Sequence, residues 1–183
     1  MTEPAIASLV APWTEADLDA FPGKGNRYEI IDGRLIVTPP GTDRHGSIQA
    51  EVTALLLGAR PDKYRVVVEC GVRVPEGNLI ADVAVLHPFG RRGVTWRDAR
   101  DVALVVEVAS PWSAQFDATD KLASYARAGI ASYWRVEQDA TAHIYEIDGR
   151  EYREIEVVKP GAEWTASAPF EVTLRPADWM PEE

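Results

Sequence analysis

The segment Val102–Val108 constrains the fold most strongly, because six of its seven residues are apolar. A nearly continuous apolar run of this length is typical of a central strand whose two faces are both covered by other elements. The exception is Glu107, which places a carboxylate inside the run. We therefore predict a sheet with helices packed against it. We also expect Glu107 to have a partner, because an unpaired buried carboxylate is costly.

The remaining sequence alternates between patterns typical of strands and of helices. Two apolar segments around an Asp-Gly turn predict a hairpin over residues 28–37, and a second such pair predicts one over residues 142–158. Apolar residues on one helical face predict a helix over residues 42–57. Asp117 as N-cap and Gly129 just past the end predict a second helix over residues 117–128. Further strands are predicted over residues 65–74, 80–86, 132–136 and 170–174.

Together these elements predict a mixed β-sheet flanked by helices, of the α/β or α+β class, with additional β-hairpins. We expect residues 1–26 to form an N-terminal arm and a short helix, and residues 27–183 to form a single domain. Residues 87–101, which are rich in glycine and arginine, are expected to be a loop.

The composition indicates a cytoplasmic protein with no membrane partner. No apolar run approaches the roughly 20 residues that a membrane span requires. The first residues lack the basic region of a secretory signal. Cys70 is the single cysteine, so the chain can form neither an internal disulfide nor a thiolate metal cluster.

The net charge of −10 weighs against a nucleic-acid partner, because affinity for phosphate backbones depends largely on Lys and Arg. One local basic stretch contains Arg91, Arg92, Arg97 and Arg100. We favour a solvated loop over a DNA-binding surface for this stretch. Acidic residues that bind a divalent metal also lower the net charge, and the bound ion would restore part of it.

Two acids stand out because each lies inside an apolar strand. Asp82 follows Leu79-Ile80-Ala81, and Glu107 follows Val105-Val106. If the two strands are neighbours, the two carboxylates can share one divalent ion, and hard oxygen ligands suit Mg²⁺. The alternative is that each acid faces solvent at a strand end. We favour the metal pair.

Lys121 is a candidate for the same site. It follows Asp117 by four residues, so both side chains lie near one face of the predicted helix. From there Lys121 could point back toward the end of the Glu107 strand and stabilise negative charge. The alternative is an ordinary Asp–Lys helix pair, which contributes about 0.3–0.5 kcal/mol.

The order and spacing of these residues resemble one family of restriction endonucleases, called Uma2, within the PD-(D/E)XK nuclease superfamily. The resemblance covers about residues 27–147. It is carried by Tyr28 to Gly33, His45, Asp82, Glu107 to Pro111, Asp117, Lys121, Tyr125 to Ile130, and Tyr133-Trp134.

The resemblance implies that Asp82 and Glu107 bind Mg²⁺ or Mn²⁺, and that Glu29 faces the same site. The alternative for Glu29 is a surface acid that flanks the hairpin, and we favour the site. The resemblance also implies that Lys121 is a catalytic lysine displaced onto the helix. The sequence departs from the superfamily pattern twice: Ala81 replaces the usual proline before the first acid, and Ala109 replaces the usual lysine.

Three further residues are expected to support the site. His45 could touch a phosphate or only pack, Asp117 is expected to cap the helix and hold Lys121, and Ser110 could support the strand end through a hydrogen bond.

The leading hypothesis is a metal-dependent endonuclease that acts on DNA as a homodimer. The alternatives are an inactive nuclease scaffold that serves in binding or assembly, and a hydrolase of small phosphate esters. The missing lysine at position 109 and the acidic net charge favour the inactive scaffold.

Overall fold

The computed structural model describes residues 6–7, 12–21, 25–75, 77–110 and 117–180. Ten strands of this part of the chain form one mixed sheet, and two more form a small separate sheet. The strands are β1 (Ile6–Ala7), β2 (Arg27–Ile31), β3 (Arg34–Thr38), β4 (Arg65–Val74), β5 (Gly77–Leu86), β6 (Trp96–Asp98), β7 (Val102–Val108), β8 (Ser132–Val136), β9 (Ala142–Asp148), β10 (Glu151–Val158), β11 (Trp164–Ala166) and β12 (Val172–Leu174).

The helices are few and flank the large sheet. They are α1 (Glu15–Leu18), α2 (Asp43–Ala59) and α3 (Leu122–Arg127), together with a π-helical turn over Asp117–Lys121 and short 3₁₀ segments at Ala99–Asp101 and Pro176–Trp179. The Thr42 hydroxyl accepts a hydrogen bond from the His45 backbone N–H at 3.2 Å, which caps the start of α2. None of the described helices is both long and apolar enough to cross a bilayer.

Strand β7 lies at the centre of the sheet, as its apolar run predicts. It pairs with β5 in antiparallel orientation and with β8 in parallel orientation, and all seven of its residues are buried. Two apolar clusters form the core. One packs α2 through Ile48, Val52 and Leu56 against the sheet, and the other includes Tyr125 and Ile130, which follow the π-helical turn.

The pairing of β5 branches, and this branch positions the site described below. Along one edge β5 pairs with β4 over its whole length. Along the other edge it pairs with β2 only at Asn78, and then with β7 from Val83 onward. Strands β2 and β7 therefore diverge, and residues 79–82 face the fork between them.

The mixed sheet flanked by helices confirms the predicted fold class, and both hairpins are present. The expected arm contains β1, which pairs with β3. The prediction that residues 87–101 are a loop throughout is wrong, because β6 pairs in parallel with β4. A Cβ atom on Gly71 would lie 2.5 Å from the Thr95 carbonyl oxygen, so this close approach depends on glycine.

The basic stretch within this segment is partly structural. Arg97 is buried, and its Nη1 donates to the Arg91 carbonyl at 2.6 Å. Its guanidinium therefore holds the loop. Arg91, Arg92 and Arg100 are exposed, as in the expected solvated loop, whereas the burial of Arg97 departs from that expectation.

Candidate active site

Three carboxylates from three strands meet in the fork of the sheet. Glu29 comes from β2, Asp82 from β5 and Glu107 from β7, and each is at most 2% exposed. Strands β5 and β7 pair at Val83↔Val106. Extending this antiparallel register by one residue sets Asp82 opposite Glu107, as expected for two acids that share one site.

Backbone N–H groups anchor two of these carboxylates. Oε1 of Glu29 accepts a hydrogen bond from the Ile80 N–H at 2.7 Å. Oδ2 of Asp82 accepts one from the Val108 N–H, also at 2.7 Å. The side chains thus satisfy N–H groups that the diverging strands leave without ladder partners. Each carboxylate is held in a defined orientation, and Oδ1 of Asp82 remains for other contacts.

Lys121 reaches two of the carboxylates from the π-helical turn. Its Nζ lies 2.9 Å from Oε1 of Glu29 and 3.4 Å from both carboxylate oxygens of Glu107. The Tyr125 hydroxyl, one helical turn further on, donates to Oε1 of Glu107 at 2.9 Å. Lys121 is itself buried, so its charge acts in a setting where water screens it little.

Asp82 faces two further groups through Oδ1. Nη2 of Arg27 lies 2.6 Å from Oδ1, and Nε2 of His45 lies 3.4 Å from it. Burial by itself would raise the pKa of Asp82, but the His45 imidazole and the Arg27 guanidinium outweigh burial and lower the pKa to about 2. Asp82 is therefore ionised at neutral pH.

Oδ1 of Asp82 is nevertheless poorly satisfied. Although the Arg27 guanidinium is close, the contact lacks hydrogen-bond alignment, and Oδ1 is a buried oxygen without a hydrogen-bond partner among the residues that the structure describes. An ionised carboxylate oxygen of this kind is a ligand available to a cation.

The carboxylates open into a pocket of about 520 Å³. A pocket of this size accommodates a nucleotide-sized ligand. Its polar lining includes the residues Arg27, Glu29, His45, Gln49, Glu69, Asp82, Glu107, Ser110 and Lys121.

The side chains present fit a divalent cation by charge and by donor type. Among the described residues of the pocket, Glu29, Glu69, Asp82 and Glu107 carry four formal negative charges, and Arg27 and Lys121 carry two positive charges. The difference of two matches one divalent ion. No ready-made group of three His, Cys, Asp or Glu ligands is present in the described part of the chain. Mg²⁺ needs only one or two carboxylates, because it retains several waters.

The structure brings together six residues that the sequence singled out. They are Glu29, His45, Asp82, Glu107, Ser110 and Lys121. The side chain of Asp117 lies outside the described residues, so its expected role as a cap stays a prediction.

Sequence reasoning missed Arg27, Gln49 and Glu69. Arg27 precedes Glu29 by two residues, so strand alternation could have placed both side chains on one face. Gln49 follows His45 by four residues on α2, which also indicates a shared face. Glu69 carries no such signal, because its side chain is directed by an unusual backbone conformation with φ of +49°.

The sequence and the fold both have known relatives. Residues 15–177 match the Uma2 family, which is described as "Putative restriction endonuclease". The fold is similar to the crystal structure of "a putative nuclease belonging to DUF820" from Anabaena variabilis ATCC 29413, with a TM-score of 0.72 and 18% sequence identity. The match covers 92% of this chain and 97% of the other. No match is found among curated proteins.

We predict that Lys121→Met destabilises the metal-free protein by about 3–5 kcal/mol, because it leaves Glu29 and Glu107 buried without the cation between them. The measurement is urea denaturation in EDTA. Lys63→Met serves as the matched control, since Lys63 is exposed, and its free energy of unfolding should change by no more than about 0.5 kcal/mol. Equal stability of the two variants would contradict the ion-pair geometry described here.

Proposed function

We propose that this chain, which belongs to the Uma2 restriction-endonuclease family, is a metal-dependent endonuclease that hydrolyses phosphodiester bonds in DNA. The observation that carries the proposal is the meeting of Glu29, Asp82, Glu107 and Lys121 in one pocket with a net negative charge. These residues come from three strands and a helical turn, so only the folded chain assembles them.

Asp82 and Glu107 would hold the metal, which we propose to be Mg²⁺ or Mn²⁺. Both carboxylates are buried, and they lie opposite each other in the antiparallel register. A divalent ion supplies Lewis acidity and neutralises negative charge on a phosphate. Asp82 is suited to this role because its lowered pKa keeps the carboxylate ionised.

Lys121 would act on the water or on the phosphate. Its ammonium lies between Glu29 and Glu107, so it can orient a nucleophilic water or stabilise negative charge that develops during hydrolysis. Glu29 positions this ammonium through the 2.9 Å contact, and the Ile80 N–H in turn fixes Glu29. Lys121 thereby stands in for the lysine that the superfamily pattern would have placed at Ala109.

A bound metal ion would also change the charge of the site, and with it the ability of the site to bind DNA. The described pocket side chains have a formal charge of −2 without metal, which repels a phosphate. A bound divalent ion removes this charge, so an acidic protein can present a locally neutral site. We propose that His45 and Ser110, which line the same pocket, provide polar contacts for the substrate.

The direct test is nicking of supercoiled plasmid with Mg²⁺ or Mn²⁺, compared with EDTA. We expect metal-dependent nicking. We expect Asp82→Asn to slow it by at least the roughly 10–100-fold that loss of a group supporting a metal site causes. Asp101→Asn is the matched control: Asp101 is also buried and accepts a backbone N–H, but it lies outside the pocket.

Two results would contradict the proposal. One is the absence of nicking under every metal condition. The other is nicking by Asp82→Asn at the rate of the Asp101→Asn control. Cleavage of bis(4-nitrophenyl) phosphate without any plasmid nicking would favour a small phosphate ester as the substrate instead.

We further propose that the enzyme acts as a homodimer, because a small nuclease that cleaves both strands of a duplex usually needs two active sites. Light scattering at micromolar concentration should then give twice the chain mass of 20.2 kDa. A monomer under these conditions would contradict this part of the proposal.

A further inference from the structure

The Arg27 guanidinium lies where a divalent ion bound to Asp82 would be expected. Oδ2 of Asp82 is committed to the Val108 N–H, so Oδ1 is the oxygen that remains for a metal. Nη2 of Arg27 lies 2.6 Å from this same Oδ1. A divalent ion on the same oxygen would lie close to the guanidinium and be repelled by it, so the two cations compete for Oδ1.

A second carboxylate, that of Glu69, pairs with Arg27 in better hydrogen-bond geometry than Asp82 does. Nε of Arg27 donates to Oε2 of Glu69 at 2.9 Å, and Nη2 donates to Oε1 at 2.5 Å, which gives a bidentate pair. By contrast, the contact with Asp82 lacks hydrogen-bond alignment. Arg27 can therefore leave Asp82 and keep its pair with Glu69.

Gln49 of α2 holds Glu69, the carboxylate that would retain Arg27. Nε2 of Gln49 donates to Oε1 of Glu69 at 3.1 Å and to the backbone carbonyl of Asp82 at 2.8 Å. Gln49 thus ties Glu69 to the Asp82 strand. The Glu69 side chain is 48% exposed and that of Arg27 is 22% exposed, so both lie on the solvent side of the buried Asp82.

We propose that Arg27 is an exchangeable cation that neutralises Asp82 until a divalent metal takes Oδ1, and that Arg27 thereby sets the metal affinity of the site. The inference rests on the proposed function, because it requires metal binding at Asp82. Metal binding must displace the guanidinium, so part of the intrinsic affinity of the carboxylates is spent on breaking the Arg27 contact. Displaced Arg27 remains on Glu69.

The test is isothermal calorimetry of Mn²⁺ binding without DNA. We expect Arg27→Met to bind Mn²⁺ about tenfold more tightly than the unaltered protein, because the competing cation is gone. Arg44→Met is the matched control and should bind Mn²⁺ as the unaltered protein does. Arg44 is an arginine of α2 that donates to the Gln138 carbonyl and lies outside the pocket.

The outcomes separate this inference from the proposed function. If the unaltered protein binds no Mn²⁺, or Asp82→Asn binds it equally well, the proposed metal site fails and the inference fails with it. If the unaltered protein binds Mn²⁺ through Asp82, but Arg27→Met binds it no more tightly, the proposed metal site stands. Only the proposed exchange of Arg27 for the metal is then overturned.

A measurement on the unaltered protein covers the case in which Arg27→Met does not fold. The guanidinium signals of ¹⁵N-labelled arginine are followed during a titration with Mg²⁺, and the Arg27 signals are assigned with Arg27→Lys. We expect the Arg27 Nη signals to shift and their solvent exchange to rise several-fold at saturation, while those of Arg44 stay constant. Unchanged Arg27 signals at saturating Mg²⁺ would overturn the exchange.

Discussion

The branch in the pairing of β5 is the constraint on which the site depends. Because β2 and β7 diverge on one edge of this strand, backbone N–H groups at Ile80 and Val108 need other acceptors. The carboxylates of Glu29 and Asp82 satisfy them. Buried acids would destabilise a regular sheet, but here their carboxylates accept hydrogen bonds from backbone N–H groups of the sheet. The backbone N–H groups at the fork stabilise the two carboxylates, and the carboxylates satisfy those N–H groups in return.

Charge balance then connects the fold to the chemistry. Three carboxylates that are at most 2% exposed require cations nearby, and the chain supplies Lys121 from the π-helical turn and Arg27 from β2. Lys121 contacts Glu29 and Glu107, whereas Arg27 also pairs with Glu69 near the solvent. The buried lysine contacts two carboxylates inside the site, while the arginine also has a hydrogen-bonded pair on the solvent side. This asymmetry gives the two cations different proposed roles.

Much of this arrangement could be predicted from the sequence, because apolar runs and turn residues act locally. The hairpins, α2 and the central strand β7 follow from periodicity and Asp-Gly turns. Strand β6 could not be predicted in this way. It pairs with β4 across more than twenty residues of sequence, and the close approach of the two strands depends on a glycine at position 71. Glu69 was missed for a similar reason: its position depends on backbone geometry and not on residue type.

The most direct measurement is the crystal structure of the protein soaked with Mn²⁺, with anomalous diffraction to locate the ion. Our account predicts one anomalous peak in the pocket, about 2 Å from a carboxylate oxygen of Asp82 and from one of Glu107. A pocket without a peak at saturating Mn²⁺, or a peak bound only by residues outside the fork, would contradict the central claim that these two acids form a metal site.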